Sequence, residues 1–171
     1  MGLSETPTKR RFITEVMKNA IEQMKISSNQ QLGVMGEIYV TYWLKYMGFD
    51  AMDTSKLKHQ GDVKITARKQ GKTIHFEVKT AKRDTKGHWQ FCLRKGKKTS
   101  IDHSDYVVLL AVDDYGKLFR YVVPVDYFGD AAKFDISSHP TIYSGKVAPF
   151  LVRGDEIDLS DIMTTYQLIG E

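Results

Sequence analysis

Apolar residues recur along this chain with two different periods, and the change of period outlines its elements. Phe12, Val16, Ala20 and Met24 return every four positions, the spacing of one helix face. The turn-prone Thr6-Pro7-Thr8 precedes them, so an N-terminal helix is predicted. Over residues 29–47, Leu32, Met35, Tyr39, Trp43 and Met47 recur at three- and four-residue steps, which predicts a second helix. Ser27 or Ser28 can cap its start, and Gly48 stands where a C-terminal cap belongs. Gly33 and Gly36 each cost about 1 kcal/mol relative to Ala inside a helix. Their presence predicts a close approach to another backbone, which would bring Glu37 towards the sheet.

The period then drops to two. After a short apolar run at residues 49–52, Val63, Ile65 and Ala67 alternate with Lys64, Thr66 and Arg68, and beyond residues 69–72 a second alternation puts Ile74, Phe76 and Val78 on one face. Two strands joined by a tight turn are predicted. With residues 69–72 as the loop, Arg68 pairs with Thr73, and counting outward sets Asp62 opposite Lys79 with Glu77 on the adjacent diagonal. All three leave the apolar face for the same other side. Opposed and diagonal neighbours lie roughly 5 to 8 Å apart, close enough for two carboxylates to share a divalent ion.

The unbroken run at residues 106–112 predicts a buried strand. A turn at residues 113–116 and a returning strand at 117–123 make this pair the inner part of a mixed sheet. A short helix is predicted at residues 126–128 and a last turn at 160–163, with Pro140, Gly145, Pro149 and Gly154 dividing the rest into loops and short strands.

The chain has 171 residues, 42% of them apolar, enough for one substantial core. A single domain is expected, with an N-terminal helix in residues 1–28, a core in 29–124 and an irregular acidic extension in 125–171. The longest apolar stretch is far too short to span a bilayer, and no apolar signal segment follows Lys9-Arg10-Arg11. A soluble, cytoplasmic protein is expected.

Charge is unevenly placed. Residues 56–98 hold 14 Lys or Arg against three Asp or Glu, two of which are Asp62 and Glu77, whereas residues 99–171 hold five basic against 12 acidic. The net charge of +4 therefore hides a strongly basic middle, whose natural partner is a polyanion. Lys82, Arg83 and Lys86 follow the hairpin, and Arg94, Lys95, Lys97 and Lys98 lie beyond Trp89-Gln90-Phe91. These are the candidates for phosphate contacts, although any one Lys more commonly serves solubility.

Cys92 is the only cysteine, which excludes an intramolecular disulfide and a Cys-based zinc cage. Between Phe91 and Leu93 it reads as a buried, inert thiol. The five histidines show no ligand spacing. His75 shares the strand face of Glu77, and His103 lies too close in sequence to Asp102, Ser104 and Asp105 for a hydrolytic triad.

Two carboxylates and an ammonium gathered on one face suit a hard divalent cation, which takes oxygen ligands and works with phosphate oxygens and water. The plain alternative is a solvated hairpin face with one salt bridge, worth roughly 0 to 1 kcal/mol. With the helix bearing Gly36-Glu37 upstream, the order Glu37, Asp62, Glu77-x-Lys79 resembles the PD-(D/E)xK nuclease superfamily over residues 32–124. That superfamily includes restriction enzymes, Holliday-junction resolvases and some homing endonucleases. In it a helix carrying a Glu precedes three strands, with the Asp starting the second strand and the Glu-x-Lys on the third.

The resemblance implies an α/β restriction endonuclease-like core, a mixed central sheet flanked by helices. It makes Asp62 and Glu77 metal ligands, Lys79 the water-orienting group and Glu37 an auxiliary ligand or water-holding acid, with Gln90 as a further auxiliary candidate. The chain departs from the pattern in having Gly61 where the family has Pro, and no clear amphipathic helix after Lys79. The activity implied is a Mg2+-dependent DNA endonuclease, restriction- or homing-like, with Mn2+ able to substitute. A homodimer is implied because cutting both strands needs two sites. A structure-specific Holliday-junction resolvase and a non-cleaving DNA-binding module are the alternatives. The carboxylates weigh against the last, since without metal they would repel a phosphate backbone.

Overall fold

The structure, a computed structural model, describes residues 6–54, 64–95, 98–99, 101–136, 145–154 and 158–169. Helix α1 (Pro7–Ile26) starts where Thr6 accepts a hydrogen bond from the Lys9 amide and Pro7 occupies the first turn, a place where a missing N–H is harmless. Helix α2 (Asn29–Tyr46) is capped by Ser28, whose hydroxyl accepts from the Gln31 amide. Ser27 instead ends α1. Gly48 follows α2 with φ of +88°, the left-handed conformation that closes helices. The packing partner of α1 is α2: Ala20, Met24 and Leu32 are buried in one cluster, and the Phe12 and Tyr42 rings meet edge to face.

The strands in chain order are β1 (Asp50–Asp53), β2 (Ile65–Lys69), β3 (Lys72–Lys82), β4 (Trp89–Cys92), β5 (Arg94–Lys95), β6 (Lys98–Thr99), β7 (Tyr106–Val112), β8 (Leu118–Pro124) and β9 (Lys133–Ile136). The main sheet runs β1-β2-β3-β7-β8. Only its β3–β7 pairing is parallel. This is the mixed α/β architecture expected. All seven residues of β7 are buried, as an interior strand covered on both faces requires. The returning β8 lies at the sheet edge instead of its interior, where Leu151 bridges to Tyr121.

Arg68 pairs with Thr73 as counted, but the turn is tighter than four residues. Lys69 pairs with Lys72, and Gln70 and Gly71 both have positive φ, the two-residue type I′ geometry whose twist suits a hairpin. The crossover from β3 to β7 contains β4, β5 and β6. β4 pairs with β9 in a separate ribbon, and β5 pairs with β6. In β4, Trp89 and Phe91 are buried while Gln90 and Cys92 are exposed. Cys92 is therefore not the buried thiol expected, because strand alternation points it opposite to its apolar neighbours.

Gly36 brings α2 onto the sheet: a Cβ there would lie 1.9 Å from Thr80 Oγ1 and 3.4 Å from Leu110 Cδ1. The same expectation fails for Gly33, which has nothing within 4 Å. Arg120 of β8 stacks over Trp43 and donates to the Tyr39 hydroxyl, a second tie between α2 and the sheet. The tail adds more helix than expected. Residues 126–128 fall in a 3-10 turn, Val125–Phe128, a second spans Gly145–Phe150, and the last turn is helix α3 (Leu159–Ile169). Its inward residues Leu159, Ile162 and Tyr166 recur at steps of three and four.

Candidate functional site

The sheet opens where β2 begins. Ile65 pairs with Phe76, so from Glu77 onward β3 is held on the other edge by β7, with Glu77 beside Val107 and Lys79 beside Leu109. Glu77 and Lys79, two residues apart on β3, share one face of the strand. Glu37 follows Gly36 on α2, so the close packing at Gly36 also fixes where its carboxylate starts.

The structure brings Glu37, Glu77 and Lys79 together and adds Lys64. The Lys79 ammonium is 3.7 Å from Glu77 Oε1, and the Lys64 ammonium is 3.8 Å from Glu37 Oε1. Glu77 is 0% exposed. Neither of its carboxylate oxygens has a hydrogen-bond partner among the described residues. Burial pushes its pKa up to about 7, opposed by Lys79 and then Lys64 and reinforced by Glu37. Burial also raises Glu37 above the ordinary carboxylate range; Lys64 opposes the shift, and Asp53 adds to it. Desolvation outweighs the two ammoniums at both acids, since it penalises the charged form directly.

Asp62, the other metal-ligand candidate, lies outside the described residues, as does Gly61. Among the described residues no group of three or more His, Cys, Asp or Glu side chains is placed to hold a metal ion. Sequence reasoning missed Lys64 and Asp53. The signal for Lys64 was there, because the register that set Asp62 opposite Lys79 also sets residue 64 opposite 77. His75 is engaged one row away, with Nδ1 3.2 Å from Thr66 Oγ1 and Thr66 Oγ1 3.3 Å from Thr54 Oγ1.

Gln90 is exposed on β4, on the side facing away from buried Trp89 and Phe91, and pairs in register with Asp135 of β9. Several basic candidates have partners within the chain. Lys82 donates to the carbonyls of Lys25 and Ser27 at the α1–α2 junction. Arg83 lies over the Trp89 ring and pairs with Asp114. Arg94 donates to Ala131 O and to Asp102. Lys86 is exposed. Lys97 lies outside the described residues, and the side chains of Lys95 and Lys98 are likewise not described. No helix among the described residues is long and apolar enough to cross a membrane.

No family model and no curated protein matches the chain. Among solved structures, the fold is similar to that of a bacterial homing endonuclease, I-Ssp6803I, with a TM-score of 0.60 and 15% sequence identity over 85% of this chain and 99% of that one. At this level of identity the likeness is one of fold.

Proposed function

We propose that this chain is an endonuclease of the PD-(D/E)xK type, hydrolysing phosphodiester bonds in DNA with Mg2+ or Mn2+. One observation carries the reading: Glu77 is wholly buried, neither oxygen has a full hydrogen bond among the described residues, its ion pair with Lys79 is long at 3.7 Å, and a second carboxylate acts on it. Burying an anion without full hydrogen bonding costs several kcal/mol, so a fold that keeps this carboxylate there is suited to a further cation. The donor set fits a hard divalent ion, being all carboxylate oxygen. The fold's likeness to a homing endonuclease supports DNA as the substrate.

In this reading Glu77 and Asp62 hold the ion and Glu37 is the auxiliary acid. A bound divalent ion supplies Lewis acidity, lowering the pKa of a water and offsetting charge on the phosphate. Lys79, anchored beside Glu77, orients the attacking water by donating to its oxygen. The basic middle of the chain holds the phosphate backbone without reading sequence. Two copies of the chain, related by a two-fold axis, place one site on each strand of a duplex.

The test is incubation with supercoiled plasmid, linear duplex and a four-way junction, each with Mg2+, Mn2+ or EDTA, beside Asp62→Ala, Glu77→Ala and Lys79→Ala. Metal-dependent cutting is expected for the parent, and the variants should cut slower by about 100-fold or more while still binding. Equal binding with no metal-dependent cutting of any substrate would leave a DNA-binding module as the function. Sedimentation that shows only monomer, with and without DNA, would remove the dimer.

A further inference from the structure

Lys64 has no role in the resemblance described above, yet it is built into the cluster. Its carbonyl accepts the Thr54 amide at 2.8 Å, which pins the backbone at the mouth of β2. The next residue, Ile65, pairs with Phe76, the neighbour of Glu77. The Lys64 side chain then reaches across to α2, where the ammonium stands 3.8 Å from Glu37 Oε1. That distance is an ion pair without a hydrogen bond. Lys79 stands in the same relation to Glu77, at 3.7 Å. Two carboxylates from different elements are thus interleaved with two ammoniums.

The two ammoniums are not equivalent. Lys79 shares a strand with its partner, and its side chain is 21% exposed; Lys64 spans two elements, and its side chain is 33% exposed. Two neighbouring carboxylates repel, and a protein awaiting a divalent ion needs positive charge between them to keep them converged. Once such an ion is present, the same charge is excess. The group that can leave is the one on a flexible stem with a route to solvent.

Resting on the metal-dependent reading above, we propose that Lys64 is the resident counter-cation of the carboxylate pair. It keeps Glu37 drawn towards Glu77 in the metal-free protein and swings out when a divalent ion takes over the two acids. It acts through those acids, as a positioning residue that competes with the metal.

The experiment uses Mn2+ alone, without DNA, titrated calorimetrically into the full chain and into Lys64→Met, Lys64→Gln and Lys64→Arg. Metal-free thermal melts of each protein run in parallel. Removing the charge is expected to tighten Mn2+ binding roughly tenfold, and Lys64→Arg is expected to stay within about threefold of the parent. Lys64→Met and Lys64→Gln should melt lower than the parent in EDTA and regain the difference at saturating Mn2+. Binding of Mn2+ by both neutral variants with parental or weaker affinity would overturn this role while leaving the metal site standing. A parent chain that binds Mn2+ no better than Glu77→Ala would overturn the metal site and the role together. Should Lys64→Met fail to fold, Lys64→Gln, which keeps a polar end, decides the question on the same readings.

Discussion

Replacing Glu77 by Gln tests how the buried acid is held. In the metal-free protein its pKa stands at about 7 against an ordinary 4.5, with burial as the leading cause. The folded chain therefore keeps this proton at pH values where the unfolded chain has released it. Stability then falls as pH rises from 4.5 to about 7 and levels off above. At about 1.4 kcal/mol for each pH unit, that interval amounts to about 3 kcal/mol. Gln mimics the protonated acid and has no such dependence. The stability of Glu77→Gln minus that of the parent, from urea denaturation in EDTA, should grow by about 2.5 kcal/mol between pH 5 and pH 8. Taking the difference cancels groups that titrate alike in both proteins, and it cancels any constant packing effect of the amide. Saturating Mg2+ at pH 8 should restore the parent and leave the variant unchanged. Parallel pH profiles for the two proteins would refute the reasoning, since they would mean that solvent or the neighbouring ammoniums offset the burial of the carboxylate.

Other outcomes follow from the same geometry. Gly36→Ala should destabilise the fold by about 1 to 3 kcal/mol, because the added methyl meets Thr80 Oγ1 and stands 3.1 Å from Thr80 Cβ. In a Thr80→Ala background, which removes the clashing hydroxyl but keeps the Cβ at 3.1 Å, the same change should cost less than in the parent; a double-mutant cycle by chemical denaturation reads both. Lys82→Met should cost about 1 to 3 kcal/mol by loosening the α1–α2 junction without altering the salt dependence of DNA binding. Lys86→Ala should lower that salt slope by about one and leave stability alone. Cys92 should react with a thiol reagent at full stoichiometry in the native protein, since its strand turns it outward.

Much of the architecture could be read before any coordinates, for reasons particular to each element. The hairpin register was legible because a strand has a strict period of two and β2 and β3 meet at a short turn. That the turn is two residues was less so: Lys69 and Lys72 look like loop residues by polarity and become a strand pair only when Gln70 takes positive φ. Gly36 and Gly33 look alike in sequence. Only the position of Thr80 separates a required glycine from an incidental one. Helix α3 is longer than the single turn expected at residues 160–163, and the inward residues Leu159, Ile162 and Tyr166 recur along it at helical steps. At the candidate site, Glu77 and Lys79 came from local counting and Glu37 from the resemblance. The duties of Lys82 and Arg94 depend on carbonyls far away in sequence, at Lys25, Ser27 and Ala131, which no local pattern announces.

The parallel pairing of β3 with β7 ties the candidate site to the order in which the chain is synthesised. The β2–β3 hairpin is local and can close within microseconds, whereas pairing Glu77 with Val107 must wait for a distant strand. Until residues 106–112 have left the ribosome, the Glu77 carboxylate sits in water, as acidic as any exposed glutamate. A nascent chain therefore displays the acidic and basic groups of the hairpin without the desolvation that sharpens them. Whatever affinity the finished pocket has for a cation arrives in one step with β7, so an incomplete chain is chemically silent.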